Sequence, residues 1–138
     1  IATVKALKAA AEGVGAQVEF VAPMIGGAEA SDGTWIEAAQ NVSGGPSVLY
    51  DAVAIVTSKD GAQALAKMPP ARDFVSDAFA HMKFIAYVAE AAPLLEKAGV
   101  ASDMDAGMVE LSDPAAAEGF IESCAKLRFW DREAKLMA

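Results

Sequence analysis

Phe84-Ile85-Ala86-Tyr87-Val88-Ala89-Glu90-Ala91-Ala92-Pro93 is the stretch whose reading decides the fold. Phe84 through Val88 are all apolar or aromatic, the mark of a strand buried on both faces. Small residues follow at once, then Pro93 with Leu94 and Leu95, so the strand turns sharply into a helix. In many α/β enzymes this elbow carries the nucleophile, because a tight turn lifts one side chain above the sheet beside free helix N–H groups. The nucleophile would fall at or next to Ala89, and alanine has no heteroatom to attack with. The chain has the setting for a catalytic residue without the residue.

Outward from the elbow, strands alternate with helices. Residues 1–12 read as a helix with Val4, Leu7, Ala11 and Val14 at helical spacing, ended by Gly13 and Gly15. Residues 18–22 read as a buried strand closed by Pro23. Asp32-Gly33 favours a tight hairpin turn between short strands near Glu29 and at Trp35-Ile36, and residues 41–47 read as a loop. Residues 51–56 form the next buried strand, followed by a short helix over 61–68. Pro69-Pro70 separates it from a longer helix with the stripe Phe74, Val75, Ala78, Phe79 and Met82. After the elbow comes a helix to Gly99, then a short strand at 108–111. Ser112-Asp113-Pro114 pairs a capping side chain with proline at the first helical position. Ala117, Phe120, Ile121, Cys124 and Leu127 line one face of that last helix. This alternation predicts an α/β fold, a mostly parallel sheet covered on both sides.

Composition narrows the function classes. With 138 residues the chain is long enough for one domain with its own core. A net charge of −8 argues against nucleic acid or an anionic membrane as partner. No apolar run reaches the length of a membrane span, and no signal peptide is read at the start. A single cysteine rules out an internal disulfide and suits a cytoplasmic protein.

Four stretches together carry a resemblance: Ser31-Asp32-Gly33-Thr34, Gly45-Pro46-Ser47-Val48-Leu49-Tyr50-Asp51-Ala52-Val53, the elbow, and Arg128-Phe129-Trp130-Asp131-Arg132. In order and spacing the chain resembles the C-terminal domain of large-subunit (clade 2) haem catalases. That domain is PfpI/ThiJ-like, in the class I glutamine amidotransferase-like superfamily. The resemblance spans residues 1–138 as a single domain, a C-terminal fragment of a larger catalase, and implies a flavodoxin-like three-layer α/β/α sandwich. It implies a parent that decomposes hydrogen peroxide to water and oxygen as a haem-bearing homotetramer. The haem and its ligands would then belong to the upstream barrel, with no cofactor in this domain. The partners implied are the upstream catalase core and sister subunits.

Against the PfpI-like pattern the chain departs in three places. Ala89 stands where the cysteine belongs. Val56-Thr57-Ser58 stands where a glycine pair usually helps hold an oxyanion. The first strand, whose following loop supplies an acid, is apparently missing. Glu90 is a possible catalytic acid or a carboxylate favoured at a helix N-terminus. No catalytic or metal residue is assigned.

Cys124 reads as a core thiol on an apolar helix face, and His81 as a helix-end cation without ligand partners. Asp103 and Asp105 read as turn residues rather than a hard-cation site, and the Gly44-Gly45 loop lacks the Lys-Ser/Thr of a phosphate cradle. Phe129 and Trp130 are either core or an anchor on another part of the parent.

Three functional readings stay open: a structural catalase module, a free-standing PfpI-like hydrolase or glyoxalase, and a flavodoxin-like small-ligand or flavin binder. The pattern also opens on a helix where a doubly wound fold opens on its central strand. The expectation is an empty slot between the 18–22 and 52–56 strands, with a strand upstream of Ile1 to fill it.

Overall fold

The computed structural model describes residues 2–23 and 26–136. Helix α1 (Ala2–Gly13) follows the predicted stripe, but only Ala11 on it is fully buried. The expected start at Ile1 lies outside the described residues. The first half then forms β1 (Val21–Ala22), β2 (Gly27–Glu29), β3 (Trp35–Glu37) and β4 (Gln40–Asn41). β2 and β3 make the expected hairpin, with Glu29 opposite Trp35. Its turn is closed by Asp32, whose Oδ1 accepts from the Thr34 N–H at 3.0 Å and hydroxyl at 2.6 Å.

The 18–22 strand is shorter and wetter than its sequence suggests. Only Val21 and Ala22 join a ladder, in parallel with Gln40 and Asn41, while Val18, Phe20 and Val21 stay half-buried. The physical reason is that β1 has a strand on one side only among the described residues. Asn41, expected in a loop, belongs to β4.

The second half holds β5 (Val53–Ile55), α2 (Lys59–Ala66), α3 (Pro69–Ala80), β6 (Ile85–Tyr87), α4 (Ala92–Lys97), β7 (Met108–Glu110), α5 (Ala116–Cys124) and α6 (Glu133–Leu136). β5, β6 and β7 form a parallel sheet in that order, with Ile85 between Val53 and Met108. Ile85 and Ala86 on its central strand, and Val75 on α3, are completely buried. Each large aliphatic side chain so buried contributes about 1.5–3 kcal/mol. Ala54 breaks the expected burial of β5, lying exposed between buried Val53 and Ile55.

Helices α2, α3 and α4 pack on one another, and α1 packs on α5. These two helical groups with the parallel strands make a flavodoxin-like α/β sandwich. α2 opens two residues before the expected Gly61, because the Ser58 hydroxyl caps the Gly61 N–H at 3.0 Å. α3 takes Pro69 and Pro70 into its first turn, where proline loses no hydrogen bond. α5 is entered through Pro114, and the Asp113 carboxylate accepts from the Ala116 N–H at 3.2 Å. Leu127 does not share its buried face. The helix stops at Cys124, and Leu127 turns left-handed (φ 66°) and is 59% exposed. No described helix is long and apolar enough to cross a membrane.

Candidate functional site

β6 delivers the chain to the elbow between two fixed neighbours. The Val88 N–H donates to Ile55 O at 3.1 Å, and the Leu111 N–H donates to Tyr87 O at 2.7 Å. A 3-10 turn over Ala89–Ala91 then leads into α4. Ala89 and Glu90 are exposed at this end of the sheet. The turn lacks the strain that nucleophile elbows carry: Met82 and Leu127 are the described non-glycine residues with positive φ, and Ala89 is not among them.

A shallow cleft of about 360 Å³ lies over the elbow, lined by Lys59, Ala89, Glu90, Ala92, Pro93 and Glu96. It contains two carboxylates and an ammonium, but no hydroxyl, thiol or imidazole that a base could activate. A smaller depression of about 170 Å³ beside it includes Tyr87 and Glu110, cross-strand neighbours. Burial, and then the Glu110 carboxylate, pushes the Tyr87 phenol above its ordinary value, so it stays protonated at neutral pH.

The other sequence candidates are scattered. His81 is exposed at the C-terminal cap of α3, where its N–H donates to Asp77 O. Thr57 and Ser58, at the expected oxyanion position, use their polar groups locally: the Thr57 hydroxyl donates to Ser58 O at 3.1 Å, and Ser58 caps α2. Gly44 closes a turn by donating its N–H to Asn41 Oδ1 at 2.8 Å. Burial pushes the half-buried Cys124 thiol up to about 11, which keeps it un-ionised and unreactive. Among the described residues no three His, Cys, Asp or Glu side chains converge as a metal site.

Asp105 fills the turn role expected of it, since its Oδ1 accepts from the Gly107 N–H at 2.9 Å. Sequence missed its larger role. Asp105 grips Arg132, whose guanidinium also donates to Phe79 O and Lys83 O at 3.0 Å each. That guanidinium lies 4.3 Å from the Phe79 ring centre and 5.6 Å from that of Phe129. Phe129 in turn meets Phe84 edge-on at 5.9 Å. Phe129 is therefore a core contact, while Trp130 beside it is 60% exposed.

Sequence also missed Lys83, buried with its ammonium donating to Ser47 O at 2.6 Å. Nothing in linear spacing pairs Arg132 with Asp105 or Lys83 with Ser47. For Lys83 the signal available was a basic residue set directly against the apolar run from Phe84 to Val88.

The fold is thus an α/β sandwich whose elbow carries alanine in place of a nucleophile. The chain belongs to the C-terminal domains found in long catalases, whose family model matches residues 1–134. It is 50% identical over 132 residues to Catalase C of Rhizobium meliloti (strain 1021), covering 96% of this chain and 19% of that protein. It is 26% identical over 133 residues to Catalase HPII of Pseudomonas putida, covering 96% of this chain and 18% of that protein. The chain thus spans about a fifth of the length of the curated relatives it matches. Among solved structures it is similar to oxidized DJ-1 of Toxoplasma gondii, with a TM-score of 0.69 at 18% identity, covering 98% of this chain and 86% of that one. At that identity the likeness concerns the fold alone, and it agrees with the PfpI-like architecture.

Proposed function

We propose that this chain is a non-catalytic, stabilising module of a haem catalase that decomposes hydrogen peroxide to water and oxygen. Its partners are then the upstream catalase core and sister subunits of a homotetramer. The observation that carries the reading is Ala89, exposed on an unstrained elbow in a member of the long-catalase family. A PfpI-like hydrolase or glyoxalase needs a thiol or hydroxyl nucleophile within reach of a base, and the carboxylates of the cleft have none to activate.

Haem would be held elsewhere in such a parent. The larger cleft offers iron no imidazole, thiolate or phenolate, and the smaller one, with Tyr87, is far too small for a porphyrin. No step of peroxide chemistry is assigned to these residues.

Deleting the domain from the full-length protein tests the proposal. The expected result is a lower unfolding temperature or weakened assembly, with the haem absorbance and turnover per haem retained in the molecules that fold. Substitution of Ala89 or Glu90 that abolished peroxide turnover in an intact oligomer would overturn it.

A further inference from the structure

Four of the most exposed large apolar side chains gather at the end of the parallel sheet away from the elbow. Val48, Leu49, Leu127 and Trp130 are each 59–61% exposed. They come from two stretches that the fold stitches together. Arg128 Nη1 donates to Leu127 O at 2.9 Å and to Asp51 O at 3.2 Å, so one nitrogen bridges both. The two stretches are pinned again at Met82-Lys83: the Phe129 N–H donates to Met82 O at 2.6 Å, and the Lys83 ammonium donates to Ser47 O at 2.6 Å. Asp51 stands just before β5 and Lys83 just before β6, at the starts of strands whose other end leads to Ala89. The patch is therefore separate from the elbow cleft.

Local preference favours polar residues at these positions. Leu127 is the clearest case: its backbone is left-handed (φ 66°), where glycine or asparagine is favoured, and its side chain stays outside the core. The patch also stands on a rigid base. Val48 and Leu49 share a 3-10 turn with buried Ser47, and Trp130 shares one with buried Arg132. Apolar groups held in place in this way lose little freedom on docking. The charged pair within the patch, Arg128 and Asp51 at 3.9 Å, is neutral as a unit, although the chain carries −8 overall.

We infer that this patch docks the domain against an apolar surface of the catalase core in its own polypeptide; the identity of that core rests on the role proposed above. Area and charge decide against a second copy. Four side chains so exposed present on the order of 400–500 Å². A stable dimer of free chains buries about 800 Å² on each side. Pairing two copies also brings one net charge of −8 against another. A covalently linked partner needs less, because the linker holds it at an effective concentration on the order of millimolar. Interfaces between domains of one chain begin near about 600 Å² in total, which the patch and its facing surface reach together. In the related catalases about four-fifths of the polypeptide lies outside the matching region, so a linked partner of ample size is present there.

Hydroxyl-radical labelling of the native full-length protein tests the inference, with the two tryptophans of the domain as each other's control. Trp35, on the hairpin, is 58% exposed and Trp130 60%, so the domain alone predicts equal rates. Docking at the patch should slow Trp130 at least about fivefold relative to Trp35, since the centre of an interface excludes water. Leu49→Glu combined with Leu127→Asn should restore equal rates. Both positions are exposed and asparagine suits a left-handed backbone, so the domain keeps its fold. A photo-crosslinking residue in place of Leu49 should join to upstream peptides. In oligomers assembled from ordinary and heavy-isotope chains, each joined pair should carry a single isotope. Equal tryptophan rates in the unmodified protein overturn the inference, as does protection that survives both substitutions. Crosslinks to the same domain of a second copy, or pairs of mixed isotope, overturn it too. If deletion of the domain destabilises the catalase while Trp130 labels as fast as Trp35, the dock fails and the stabilising role stands. A protected Trp130 in a catalase indifferent to that deletion gives the reverse.

Discussion

Arg132 holds both carboxylate oxygens of Asp105, Nε to Oδ2 at 2.6 Å and Nη2 to Oδ1 at 2.9 Å, with the Arg132 side chain wholly buried. This paired fork ties the 3-10 turn at Trp130–Arg132 to the loop before β7. Removing one partner leaves the other charge uncompensated in the interior, a loss of about 3–5 kcal/mol. Arg132→Met should therefore lower the denaturant midpoint strongly without changing the slope. Arg132→Met combined with Asp105→Leu should cost clearly less than the two single changes added together, because neither charge is then orphaned. Additive losses would show that the pair is not energetically coupled.

Gly107 makes room for the same clamp. A methyl group there would sit 2.7 Å from Phe129 Cγ and 2.8 Å from Arg132 Nη2. Gly107→Ala should destabilise by about 1–3 kcal/mol through overpacking. In the Arg132→Met background part of that crowding is relieved, so the measured penalty should shrink.

The elbow, the hairpin at Asp32-Gly33 and the α3 stripe were legible because each depends on short-range pattern. Phe84 to Val88 declares a buried strand wherever the chain goes, and Val75, Ala78 and Phe79 fall on one helical face. The vacancy at Ala89 was legible for the same reason. β4 was not, because Gln40-Asn41 has no strand propensity and pairs only because β1 lies alongside. Leu127 was misplaced because helical spacing says nothing about where α5 stops. The Arg132 clamp gathers Phe79 and Lys83 from the end of α3 and Asp105 from the loop before β7, a juxtaposition that only the folded topology creates.

Restoring a thiol at the elbow should not restore an enzyme. Ala89→Cys places the sulfur on an exposed, unstrained turn, beside two carboxylates and one ammonium and away from any imidazole. Its thiol should titrate near the ordinary ~8.5 or above. Peptides, amide donors and methylglyoxal should stay unreacted. Labelling rates against pH check the first point, and turnover of any of these substrates would show that a carboxylate of the cleft can stand in for the missing imidazole.

Lys83 gives the protein an alkaline response of one sign. Burial first, and then the Arg128 charge, hold its ammonium below the ordinary 10.5, against the pull of Asp51 and Asp77. In the window just below 10.5 the unfolded chain therefore binds more protons than the folded one, and stability rises with pH. Lys83→Met should remove that rise. Ser47 O keeps the Tyr50 N–H as a partner at 3.0 Å, so the substitution does not orphan the carbonyl. Denaturant midpoints between neutral and alkaline pH, for both proteins, decide the matter.

Cys124 acts with the opposite sign. Its thiol is pushed by burial from the ordinary 9.0 to about 11, so between those values the unfolded chain has lost the proton and the folded one keeps it. Stability should fall as pH rises through that window, and Cys124→Ala should abolish the fall. The same burial sets reactivity. At pH values below both, the native thiolate fraction is about a hundredfold smaller than the unfolded one, so a thiol reagent should label the native protein at least that much more slowly. Native labelling as fast as in denaturant would mean that the α5 face carrying Cys124 opens far more readily than its packing against the core allows.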